Sequence, residues 1–203
     1  MARTNIPNAR DRILQAAVKI FAEKSFEGAR IDEIAREAKV PKSLIYYHFE
    51  SKDKLLEVLT ENFISEYTGL FTKARADSAQ GKGGSLADRM KNYYYDFGIK
   101  NSDLVRVMLI DSLKKANEKP VLFKVMEALI EADKNSPGEE PACAYDQHER
   151  MIAEFFTSFI PNYAYICFAE SWTKYFGIDR KNFDGIYMKA YMKTHGAYHE
   201  RQE

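Results

Sequence analysis

Residues 31–49 read IDEIAREAKVPKSLIYYHF. The two-residue break Lys39-Val40 separates IDEIAREA from PKSLIYYHF, and each segment is too short to be a stable helix alone. Two short helices joined this tightly form a helix-turn-helix unit. Ile34, Ala35 and Ala38 share the inner face of the first helix, while Leu44 and Ile45 anchor the second. Ala35 is small enough for the two backbones to cross closely. Pro41 suits the first turn of the second helix, where its missing N–H is not needed. The outer face of that helix then carries Lys42, Ser43, Tyr46, Tyr47 and His48, and Lys52 opens the next helix. These side chains are hydrogen-bond donors, and several can reach phosphate oxygens.

Outward from this unit the chain keeps a helical period. Ile13, Ala17, Ile20 and Phe21 recur at three- and four-residue steps on one side of the motif, and Leu55, Leu59, Phe63, Tyr67 and Phe71 on the other. No alternating strand pattern appears, so the fold class is all-α. Breaks at Ser25–Gly28, at Gln80–Gly84, at Glu118–Pro120, at Asn135–Pro141, at Ile160–Pro161 and at Gly177 divide it into about nine or ten helices. A long helix starts near Lys52 and runs to the Gly-rich stretch at Asp77–Ser85, bridging two units. The expected domains are residues 1–54, a three-helix DNA-binding unit, and residues 55–203, a larger helical unit.

Composition narrows the function. With 203 residues and 45% hydrophobic content the chain can bury a proper core. The 30 basic and 30 acidic residues cancel, which argues against indiscriminate nucleic-acid binding. Their placement is uneven: through Lys54 there are 11 Lys plus Arg against 8 Asp plus Glu. The basic end is the candidate nucleic-acid face. The polar run from Ala2 to Arg12 lacks the apolar core of a secretion signal, and no segment is long and apolar enough to span a bilayer. A cytoplasmic protein with no membrane partner is therefore expected. Cys143 and Cys167 lack metal-ligand spacing and read as ordinary thiols, so no metal or cofactor is implied. Signatures of nucleotide-binding loops, nucleophile elbows and metallohydrolases are absent, and the HER run at His148–Arg150 reads as a helix start, so an enzyme is not expected.

From Arg10 to Leu56 the run RDRILQAAVKIFAEKSFEGARIDEIAREAKVPKSLIYYHFESKDKLL resembles the DNA-binding domain of TetR-family repressors. The most specific piece is SLIYYHFESKDKLL: an aliphatic-Tyr-x-aromatic-Phe element, a polar break, then Lys and paired Leu. The resemblance implies that the second helix of the motif enters the major groove, assigning Lys42, Ser43, Tyr46, Tyr47 and His48 to DNA contact and Lys52 to a phosphate. Three positions depart from the family pattern. Ser25 stands for a Gly after the first helix, Lys39 for the Gly of the turn, and Arg30 for the Thr or Ser that caps the next helix. Lys39 then has to adopt a left-handed backbone, and Arg30 trades a cap for a phosphate contact. Taken alone, Tyr46, Tyr47 and His48 could equally be packing residues, and Lys52 part of a solvated face.

The resemblance also implies a homodimer, a pseudo-palindromic double-stranded DNA operator and a small-molecule effector that releases it. The dimer is expected through residues 146–176, whose apolar residues, among them Ile152, Phe155, Phe156 and Phe159, need cover on two sides. An apolar or aromatic effector is expected near Tyr93, Phe97, Met108, Phe156, Tyr163 and Trp172, with Asp96 and Glu170 as partners for a positive group. Two rival readings stay open. One is an activator; the other is a helical small-molecule-binding protein whose N-terminal motif is merely structural.

Overall fold

The computed structural model describes residues 8–82, 84–115, 119–134 and 146–200, and all its regular elements are helical. Cys143 and the expected break at Asn135–Pro141 lie outside the described residues. Nine helices are described. α1 (Ala9–Gly28), α2 (Ile31–Ala38) and α3 (Lys42–Phe49) form the N-terminal unit, and α4 (Lys52–Ala79) leaves it. The rest are α5 (residues 86–100), α6 (Ser102–Lys114), α7 (Val121–Lys134), α8 (residues 147–176) and α9 (residues 180–200).

Local chemistry sets these limits. The Asn8 side chain accepts from the Asp11 N–H and starts α1, while the Ser51 hydroxyl accepts from the Lys54 N–H and starts α4. Gly177 closes α8 in a left-handed turn, φ 64°. Along α1, Ile13, Leu14, Ala17, Ile20 and Phe21 are buried at helical spacing, and α1 packs against both α2 and α6. α4 spans about 42 Å at 1.5 Å per residue. It lays Leu55, Leu59 and Phe63 into the same apolar cluster that takes in Val105 and Met108 of α6, Val125 of α7 and Tyr163 of α8. The reading unit and the larger helical body therefore share one continuous core.

α5, α8 and α9 each contain a π turn, at Met90–Tyr95, Glu154–Phe159 and Met192–Gly196. These turns meet. Thr157 and His195 are hydrogen bonded at 2.9 Å, Ser158 and the Tyr191 hydroxyl at 2.8 Å, and Tyr191 also donates to the Met90 sulfur. The expected break at Ile160–Pro161 is overturned here, because α8 runs through it. Within the preceding π turn the Ile160 N–H bonds to the Phe155 carbonyl, so the ladder is already widened where Pro161 supplies no donor.

Among the described residues, three non-glycines have positive φ: Ser25 (60°), at a kink inside α1, and Lys39 (54°) and Glu50 (59°), at the ends of α2 and α3. Ser25 combines this with ψ 165°, a region adopted almost solely by glycine. Ser25→Gly should therefore stabilise the protein by about 1 kcal/mol, reduced by the loss of a hydroxyl contact to Glu27. Thermal unfolding checks this, with a midpoint a few degrees higher expected.

Candidate nucleic-acid interface and ligand cavity

α3 is held by two fully buried anchors four residues apart, Ile45 and Phe49, with Leu44 and His48 half-buried beside them. Its other side lies in solvent. Lys42 and Ser43 are exposed, Tyr46 is 45% exposed and Tyr47 80%. A tyrosine that exposed is not packing the core, and its nearest described ring neighbour is His48, edge-on at 5.2 Å. The turn before α3 has the expected left-handed Lys39, φ 54° and ψ 50°, and the Val40 N–H closes it onto the Ala35 carbonyl. Lys42 forms an exposed ion pair with Asp32 of α2 at 2.9 Å, and that carboxylate raises its pKa. Such a pair is readily exchanged for a phosphate. Arg30 sits at the N-cap of α2, where Glu33 rather than its own side chain accepts a hydrogen bond from the cap N–H at 3.3 Å. Its side chain is exposed, because a guanidinium has no acceptor with which to cap.

Lys52 is placed differently from the expectation. Its ammonium donates to the carbonyls of Phe26 (2.7 Å), Ala29 (3.1 Å) and Glu27 (3.3 Å), and it lies 4.5 Å from the centre of the Phe26 ring. A lysine has three N–H donors. All are occupied by the corner between α1 and α2, so Lys52 ties the start of α4 to that corner instead of reaching for phosphate. Lys52→Ala should cost about 2 kcal/mol of stability and leave the salt dependence of DNA binding nearly unchanged. Lys42→Ala should leave the fold intact and flatten that dependence by about one unit of log affinity per log salt. Urea unfolding and DNA titrations at several salt concentrations check the contrast.

The larger body holds a cleft of about 340 Å³, part of it open to solvent, between α4, α5 and α8. Phe63 and Tyr67 from α4, Tyr94, Tyr95 and Phe97 from α5, and Tyr163 from α8 line it. Of the expected ligand residues, Phe97 and Tyr163 are in this lining, and Met108 is wholly buried in the adjoining core. Tyr93 instead donates to Asp77 at 2.5 Å, fastening α5 to the end of α4. Asp96 is exposed, and the Glu170 carboxylate lies in solvent 3.7 Å from Arg180. Phe156 (65% exposed) and Trp172 (49%) are on the outer face of α8. These five do not line the cleft. Phe63 and Tyr67 belong to the apolar period of α4 and could have been found from it. Tyr94 and Tyr95 carried no such signal.

Residues 13–59 match the profile of the bacterial regulatory proteins of the tetR family. The N-terminal unit is a tetR-family domain. Over 104 residues the chain is 31% identical to the HTH-type transcriptional repressor NicS of Pseudomonas putida, covering 51% of this chain and 48% of that one. Over 48 residues it is 38% identical to IcaR of Staphylococcus aureus, a negative transcriptional regulator of the icaADBC biofilm operon, covering 24% and 26%. The chain thus spans about half, or a quarter, of the length of these curated relatives. Over nearly the whole chain the likeness to solved structures is one of fold. A TetR-like transcriptional regulator from Rhodococcus sp. RHA1 superposes with a TM-score of 0.57 at 18% identity, over 93% of this chain and 97% of that one. FadR of Bacillus halodurans, a fatty acid degradation regulator, superposes with a TM-score of 0.56 at 17% identity, over 90% and 97%. Among the described residues no helix is long and apolar enough to cross a membrane, and no group of His, Cys, Asp and Glu could hold a metal ion.

Proposed function

We propose that this protein is a transcriptional repressor, acting in the bacterial cytoplasm and without catalytic activity, that binds a pseudo-palindromic operator as a homodimer and leaves it when a small molecule fills the cleft. The observation that carries the reading is the outer face of α3. It is a short helix on rigid supports that turns Lys42, Ser43, Tyr46 and Tyr47 to solvent, where a merely structural unit gains nothing from them. Arg30 and the partly covered His48 stand at its margins. One helix of this length touches too few base pairs for specificity, so two copies must act together.

The dimer face we assign is α8. Ile152, Phe156, Phe168, Trp172, Tyr175 and Phe176 are all large, apolar and exposed on this one helix. A lone soluble molecule seldom leaves so much contiguous apolar surface in water. The division of labour follows residues 1–54 for DNA and 55–203 for effector and dimer. α4 links the two, because Phe63 and Tyr67 of the cleft lie about 17 and 23 Å along it from Lys52. A second link joins Glu27 at the end of α1 to Lys114 of α6 at 2.8 Å. The Lys114 hydrogen bond holds the Glu27 carboxyl down to a pKa of about 2.

Selection of bound duplexes from a random pool tests the reading. Enrichment of a two-fold symmetric site, with half-sites on one face of the duplex, is the expected result. A pool that binds without enrichment would refute it. The selected duplex then serves to screen small molecules for release.

A further inference from the structure

The cleft also constrains what can enter it. Tyr163 is only 3% exposed, and its hydroxyl has no hydrogen-bond partner among the described residues. That hydroxyl interacts electrostatically with Tyr67, which lines the cleft from α4. Tyr95, on the same lining, has a buried hydroxyl that is also without a described partner. Native proteins rarely leave such groups unpaired, because each then bears its full desolvation cost. The Tyr95 hydroxyl lies towards Tyr165, Tyr187 and Asp184, whereas that of Tyr163 lies by Tyr67, so it is Tyr163 that points to a missing hydrogen-bond partner in the cleft.

The chemistry of that partner follows from what else is present. None of the described lining residues is charged, so an anion would find no cation to neutralise it. A cation would need open aromatic faces, and stacking takes up one face of several of these rings. Tyr67 stacks on Phe97 at 5.6 Å, Tyr95 on Tyr165 at 4.9 Å, and Phe159 packs against Tyr163 at 4.2 Å. What the cleft still offers is hydroxyl edges. Burial pushes the pKa of both phenols up, so they stay protonated and act as donors.

We infer that the effector is a neutral, largely apolar molecule carrying a hydrogen-bond acceptor, such as a carbonyl or ring nitrogen, to which the Tyr163 hydroxyl donates. This rests on the cleft being the effector site. The free space in the cleft is narrow, so the effector must part the lining of α4, α5 and α8 as it enters.

Four naphthalenes of nearly one shape test it on the full chain by calorimetry. They are 2-acetylnaphthalene (neutral, with acceptor), 2-ethylnaphthalene (neutral, without), 2-naphthoate and 2-naphthylmethylammonium. 2-Acetylnaphthalene should bind roughly tenfold more tightly than each of the others. Tyr163→Phe should erase most of that preference and raise the melting temperature of the free protein, since a buried unpaired hydroxyl is removed. Equal binding of the acetyl and ethyl compounds, a lead for either charged compound, or no binding of 2-acetylnaphthalene at about millimolar concentration would overturn the inference. Operator binding is read separately. Acetyl preference with no release of DNA would support this chemistry and count against the repressor switch, whereas release by the naphthoate alone would do the reverse.

Discussion

Replacing Phe156 and Trp172 together by Glu should turn the protein into a monomer at micromolar concentration and cut its affinity for the selected operator roughly a hundredfold or more, with α-helical content unchanged. Both side chains lie on the outer face of α8, 65% and 49% exposed, and neither is part of the subunit's own core. The subunit should therefore fold without them. A two-fold interface brings each substituted position in twice, so four carboxylates would enter one apolar contact, and uncompensated buried charge is among the costliest of errors. Loss of the dimer separates the two reading helices, and each half-site is then bound alone. Light scattering and operator titration measure the two effects. An unchanged dimer mass would move the interface away from α8.

The second large effect is expected inside the reading unit. Phe49→Ala should destabilise the protein by about 3–5 kcal/mol, a large share of the 5–15 kcal/mol typical of a folded domain. Phe49 is 1% exposed and is one of the two buried anchors of an eight-residue helix that packing alone can hold. The Arg10 guanidinium also covers its ring, 5.4 Å from the ring centre. Removing the ring leaves a cavity beneath α3, so DNA binding should fall with stability. Phe49→Leu, which refills most of that volume, should lose much less. Urea unfolding of the two variants gives the comparison, and a small loss for Phe49→Ala would mean that α3 is held by something other than its core anchors.

The reading unit was visible in the sequence because its determinants are local. Ile34, Ala35, Ala38 and Ile45 are buried as their spacing requires, and Lys39 takes the left-handed turn its position demands. The carbonyl contacts of Lys52 were not legible for the opposite reason. Nothing near it in sequence reveals that the turn at Ser25 gathers the Phe26, Glu27 and Ala29 carbonyls around its ammonium. In the larger body the helices were legible but their faces were not. Each π turn inserts one residue and rotates everything after it by about 100°, so a constant helical period fails partway along α5 and α8. Phe156, within one such turn, lies outside, and Tyr94 and Tyr95, within another, line the cleft where Tyr93 was expected. The widened ladder at Glu154–Phe159 also lets α8 run on through Pro161. A division at residue 54 falls inside α4 and cuts through a continuous core, so no gap in packing marks it.

On the reading proposed above, α3 recognises DNA sequence through the side chains it turns to solvent, Tyr47 above all. Binding of wild type and Tyr47→Ala to the selected operator and to a scrambled duplex, in the same salt, tests it most directly. Tyr47 is too exposed to matter for folding, so the variant should unfold at the wild-type temperature. Loss of a base contact should weaken operator binding by about 1–3 kcal/mol, roughly tenfold to a hundredfold, and leave scrambled DNA nearly unaffected. Equal loss on both duplexes, or none on either, would contradict the account.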